Sequence, residues 1–224
     1  MYHSHELPHW WDSERFDWEN LSDSLCNHCA RHFDIWFDED KLNWKIASAS
    51  LCIYCPEHFD KWWNPNRFDW YKGAIELLRI PDKVQVWMPE LLNRPEILAK
   101  LFNELAECFP ELFDTWWNPN LVDDLFYLDE AFFKNLPYRF RDWFNIDWVF
   151  LSTTTLTWLF DYCKDYIDIW LDPFLSKLKS VYGIDPDVVS LLELRAPEHK
   201  NKWLLYLKKS KKANQRKKLK LNHN

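Results

Sequence analysis

The chain has 224 residues, 47% of them hydrophobic and 18% aromatic, which is ample material for a core and rules out a disordered chain. Only two glycines occur, Gly73 and Gly183. This excludes Walker loops, dinucleotide fingerprints, kinase loops and nucleophile elbows, all of which need glycine where the backbone turns tightly or meets a phosphate. Residues 200–224 hold ten of the 28 basic residues and no acid, so residues 1–199 carry 18 basic against 35 acidic, near −17; the chain reads as an acidic body with a basic tail.

The start, MYHSHELPHWWD, lacks a basic segment followed by an apolar stretch, so no secretory signal is read there. His3, His5 and His9 are expected to be a polar chain start rather than a metal cluster. Then a period sets in. Trp10, Trp36 and Trp62 are spaced by 26 residues, each inside a near-copy of one phrase. The clearest copies are CARHFDIWFDEDKLNW from Cys29 and CPEHFDKWWNPNRFDW from Cys55. Looser ones follow: CFPELFDTWWNPN from Cys108, LPYRFRDWFNIDW from Leu136 and CKDYIDIWLDP from Cys163. A degenerate copy is expected near Trp87, and PEHKNKW suggests a capping copy at Trp203. A fixed period of this kind marks units that bury their apolar faces against neighbours.

Within one copy, Pro56 suits the first position of a short helix and Glu57 its positive end. Phe59, Trp62 and Trp63 then form an apolar face, and Asn64-Pro65 ends the helix, as Asn118-Pro119 does later. Asp69 aligns with Asp17, Asn43, Asp123 and Asp147, all expected to be N-caps of a second, longer helix, on which Ile46, Leu51 and Cys55 are apolar positions. The fold class is therefore an all-α solenoid of about seven to eight helix-pair repeats, each about 26 residues long. The array should span residues 1–207, with a basic, flexible tail at 208–224. The longest apolar run, Trp148 to Phe160, is too short for a membrane span and is interrupted by Ser and Thr.

The motifs carry little chemistry. Cys26-x-x-Cys29-x-x-His32 and Cys52-x-x-Cys55-x-x-His58 have spacings that can bind zinc, giving a zinc-stabilised adaptor as one alternative. Later copies replace these residues with Leu, Phe, Arg and Tyr, so the favoured reading is core packing with no metal and no cofactor. Ser152 to Thr155 has no nearby histidine, and the acidic pairs Asp123-Asp124 and Asp129-Glu130 read as caps, so no catalytic residue is assigned and no enzyme is expected.

Two charged features remain. Asp34, Asp60, Asp114 and Asp168 occupy one slot in their copies, so they are the candidate partner-binding residues, forming an acidic stripe that would engage the basic surface of a protein partner. An inhibitor that imitates nucleic acid is the sharper form of that expectation. The second alternative is a nucleic-acid or nucleotide binder using exposed aromatics and the tail residues Lys208, Lys209, Lys211, Lys212, Arg216, Lys217, Lys218 and Lys220. Six cysteines without a secretion signal are read as reduced thiols in the cytoplasm.

Overall fold

The structure, a computed structural model, describes residues 7–122, 127–181 and 186–206. Among the described residues it is all-helical, with no strand. No described helix is long and apolar enough to cross a membrane. The chain divides into two compact units, one running up to Cys108 with Asp114–Trp117, the other made of Phe109–Phe113 and the chain from Asn118.

The first unit contains α1 (Leu7–Trp10), α2 (Trp18–Cys29), α3 (Phe33–Trp36), α4 (Trp44–Tyr54), α5 (Phe59–Trp62), α6 (Trp70–Leu77), α7 (Val84–Leu92), α8 (Pro95–Leu98) and α9 (Phe102–Cys108). A short helix and a longer one alternate through α6. The short helices α3 and α5 are each entered by one turn of 3-10 helix, as at Pro56–His58, where proline fills the first position. It ends after its tryptophan because the next residue, Phe37 or Trp63, is extended. The turn at Asn64-Pro65 is closed by Arg67 N and Phe68 N donating to Asn64 O at 3.1 and 2.9 Å. The longer helices begin at the expected caps: Asp17 accepts from Asn20 N, Asn43 from Lys45 N, and Asp69 from Tyr71 N and Lys72 N. Along this unit α2 packs on α4 and α4 on α6.

The repeated tryptophan is the centre of each copy. Trp36, Trp62, Trp87, Trp116, Trp143, Trp170 and Trp203 are all fully buried. The indole N–H reaches back to the carbonyl seven residues earlier: Trp36 to Cys29 and Trp62 to Cys55 at 2.8 Å, and Trp87 to Ile80 at 3.1 Å. The same bond recurs in the second unit, from Trp143 to Leu136 (2.7 Å), Trp170 to Cys163 (3.0 Å) and Trp203 to Ala196 (3.2 Å). A buried indole N–H needs such a partner, and at Trp36, Trp62 and Trp143 it clasps the end of one helix to the last residue of the short helix that follows. The degenerate copy at Trp87 and the late one at Trp203 therefore share this geometry with the clear ones.

A second bond ties neighbouring copies together. Buried Ser22 donates to Trp18 O and accepts from Asn43 N (3.0 Å); buried Ser48 donates to Trp44 O and accepts from Asp69 N (2.9 Å). Gly73 makes room for a larger ring, since a Cβ there would sit 2.3 Å from Cζ of Phe68. One copy earlier the same pair of positions holds Leu42 and Ala47, both buried.

The second unit contains α11 (Glu130–Asn135), α12 (Phe140–Trp143), α13 (Thr153–Tyr162), α14 (Ile167–Val181) and α15 (Pro186–Arg195); α10 (Phe113–Trp116) lies where the two units meet in the sequence. Here α11 packs on α13 and α13 on α15. The expectation that Asp147 is an N-cap is corrected. It sits inside a single 3-10 turn, Ile146–Trp148, and Asn145 Oδ1 accepts from its N–H at 2.9 Å. The connection here is shorter: Trp148 follows Trp143 by five residues, whereas Trp70 follows Trp62 by eight. Trp148 O is held by Leu128 N at 2.9 Å, and the helix begins later, capped by Ser152, which accepts from Thr155 N at 3.0 Å. Asp129 does cap α11, accepting from Ala131 N. His3, His5, Asp123, Asp124 and the whole tail lie outside the described residues.

Candidate functional site

Asp34, Asp60 and Asp114 each fall in the first turn of a four-residue helix and Asp168 in the first turn of the long α14, so the recurring slot is a structural position at a helix start. All four are exposed. Three bond forward to a lysine of the following copy: Asp34 to Lys61 at 2.5 Å, Asp60 to Lys83 at 2.6 Å and Asp168 to Lys202 at 2.6 Å. The hydrogen bond from Lys61 holds the Asp34 carboxyl below its usual range, and that from Lys202 does the same for Asp168. These three carboxylates thus carry their own counter-ions, and their side chains stay two-thirds or more accessible.

The two Cys-x-x-Cys-x-x-His motifs are drawn into packing. Cys26, Cys29, Cys52 and Cys55 are buried. The Cys26 thiol is pushed well up by its hydrogen bond with Cys55 and by burial, and burial does the same to Cys52. Cys163 is pushed up to about 12 by burial alone. His58 lies flat on Phe33 of the preceding copy, ring centroids 4.4 Å apart. The same slot holds Lys83 over Phe59 (5.9 Å), Arg139 over Phe113 (4.9 Å) and Tyr166 on Phe140 (4.9 Å). The other face of those phenylalanines is covered by the residue after the tryptophan, as in Phe33–Phe37, Phe59–Trp63 and Phe140–Phe144. The position wants a lid for a ring, and His, Lys, Arg and Tyr each supply one. Among the described residues no three His, Cys, Asp or Glu side chains converge as metal ligands.

The aromatic platform required by a base-stacking reading also has a definite location. Every tryptophan whose side chain is described is buried or half-buried. The exposed aromatics are Tyr54, Tyr71, Tyr127, Tyr138 and Phe150, of which Tyr71 stands by Lys100 at 5.4 Å. Ser152 and Thr155 are bonded to each other at 3.0 Å at a helix start. The tail lysines and Arg216 lie outside the described residues.

Sequence reasoning missed one feature, a cleft in the second unit. It lies beside the shortened connection after Trp143 and beside α14, which runs on past Trp170 with Pro173 inside it where earlier copies break. Its signals were the three missing residues and the absence of a break after Trp170. Comparison of the chain with protein-family models, with curated proteins and with solved structures found no match.

Proposed function

We propose that the chain is a non-enzymatic, protein-binding α-solenoid of the cytoplasm that engages a partner with a basic surface, an inhibitor imitating nucleic acid being its sharpest form. One observation carries the reading. Among the described residues the buried polar side chains are Ser22, Ser48 and Thr155, so no Asp or Glu is hidden from solvent. Over the described residues, the acidic excess that the sequence carries through 1–199 is therefore borne on the surface. Such a summed field attracts a basic partner even where single carboxylates are paired. The within-unit packing of successive long helices and the repeated indole bonds support the solenoid.

Reversing Asp34, Asp60 and Asp114 to lysine tests it. Partner binding should weaken, and rising salt should weaken it further, since exposed charges are screened within about 8–10 Å. The helical signal should remain. Affinity capture from lysate with and without nuclease supplies the contrast. If the triple reversal is silent, while removing residues 208–224 abolishes binding of nuclease-sensitive material, the nucleic-acid reading replaces this one.

A further inference from the structure

The open cleft in the second unit encloses about 390 Å³ and is lined by Asp142, Phe144, Asn145, Trp148, Ile169 and Pro173. Most of the lining is ring and aliphatic, and Asp142 is the acidic residue among it. Its carboxylate is half exposed and bonds the Nε of Arg139 at 2.7 Å. Aromatic faces beside a carboxylate suit a flat cation, because a guanidinium can lie on a ring while its edge donates to the carboxylate. An ammonium is a strongly hydrated point charge and gains less from such walls.

The chain builds this recognition for itself at the corresponding tryptophan of the first unit. The Arg94 guanidinium lies over Trp70, 4.1 Å from the ring centroid, and donates to Pro65 O at 3.2 Å. Trp70 and Trp148 hold aligned positions in their copies. At Trp148 the nearby carbonyl, Ile146 O, is taken by Lys177 Nζ at 2.8 Å, and the same ammonium reaches Asp147 at 3.3 Å. Arg139 on Phe113 is a second guanidinium-on-ring pair.

We propose that the cleft beside Phe144, Trp148 and Ile169 receives an arginine side chain of the basic partner. This rests on the acidic-surface reading and gives it a point of entry. The side chain would slide between the Phe144–Trp148 wall and the α14 wall at Ile169 and Pro173, with its guanidinium at Asp142.

The test uses the full chain and three capped tripeptides, Ala-Arg-Ala, Ala-Lys-Ala and Ala-citrulline-Ala, followed by the indole N–H resonance of Trp148. The arginine peptide should shift that resonance saturably, the lysine peptide should bind several-fold more weakly, and uncharged citrulline should bind weakest. Ile169→Trp, which plugs the cleft, should weaken the arginine peptide about tenfold with the circular dichroism unchanged. Should that variant unfold, Asp142→Asn serves instead and should bring the arginine peptide close to citrulline. Equal binding of arginine and citrulline peptides, or a folded plug variant with unchanged affinity, overturns the proposal. Poly-lysine and poly-arginine separate it from the broader reading. If both polymers bind and the plug lowers poly-arginine to the level of poly-lysine, both stand. If both bind and the plug changes neither, the cleft inference alone fails. If neither polymer binds while the arginine peptide saturates, the acidic-surface reading alone fails.

Discussion

Replacing Trp62 with phenylalanine removes one bond and part of one ring from the centre of a copy. The side chain is 1% exposed, and its N–H is 2.8 Å from Cys55 O. That carbonyl keeps a second donor, His58 N at 3.1 Å, so it is not orphaned. The lost bond should then cost about 1 kcal/mol rather than the full penalty for an unpaired buried group. The void left by the missing part of the indole adds about another 1 kcal/mol, taking some tens of Å³ at about 24 cal/mol per Å³. The expected loss is about 2 kcal/mol, against about 3–5 kcal/mol for Trp62→Ala. Urea unfolding followed by far-UV circular dichroism measures it as a midpoint shift at constant slope. Trp63→Phe is the control. Trp63 is half-buried, stacks on Phe59, and its place is taken by Phe37 and Phe144 in other copies; its change should stay within about 0.5 kcal/mol. Equal midpoints for the two variants would refute the clasp.

Further expectations follow from the same contacts. Gly73→Ala should destabilise by about 1–3 kcal/mol through the clash with Phe68 despite alanine's better helix propensity, and Phe68→Leu should rescue it; a stabilised single variant would contradict that packing. Ser48→Ala strips the acceptor from Asp69 N and should cost about 1–3 kcal/mol by thermal or urea unfolding, while a neutral result would mean water replaces the hydroxyl. The Asp34 and Asp168 carboxyls should titrate below the ordinary 3.8 in carbon-detected magnetic resonance. Because both folded values are lowered, their contribution is present above that value and is lost as pH falls through the folded one. High salt should move both titrations back up. A chelator should leave the thermal transition unmoved; near-stoichiometric zinc lost with Cys29→Ala or Cys55→Ala would overturn the packing account of the cysteines.

Much of the helix order was legible because a buried indole imposes a period that survives sequence drift. Trp87 and Trp203 sit in poorly matching phrases, yet both make the bond seven residues back. The caps at Asp17, Asn43 and Asp69 were legible for the same reason, one side chain meeting one geometric need. Asp147 misled because its alignment ignored the length of the connection, and three fewer residues move the helix start to Ser152. The lysines paired with Asp34 and Asp168 stand in the repeated Lys before Trp62 and Trp203, but which carboxylate each met depended on how adjacent copies pack. The histidine slot was read as packing, but what it packs on was not legible. One slot filled by His, Lys, Arg and Tyr looks patternless to chemistry of ligands, and only the underlying phenylalanine explains it.

The thiols record how near-identical neighbours differ. At one junction Cys55 meets Cys26, its Sγ 4.0 Å from Cys26 O, while the Cys26 Sγ lies 3.6 Å from Ser22 O. At the matching junction of the second unit Cys163 meets Phe133, with Sγ 3.9 Å from Phe133 O. The two contacts have the same form but unequal volume. In both, a buried thiol donates to a backbone carbonyl of the preceding copy, while the residue that offers the carbonyl is a small thiol in one and a large ring in the other. One recurring bond is thus built behind side chains of different volume, so a chain of look-alike segments, the kind most exposed to register slippage and exchange between molecules, differs from copy to copy in its buried residues and not in its backbone joints.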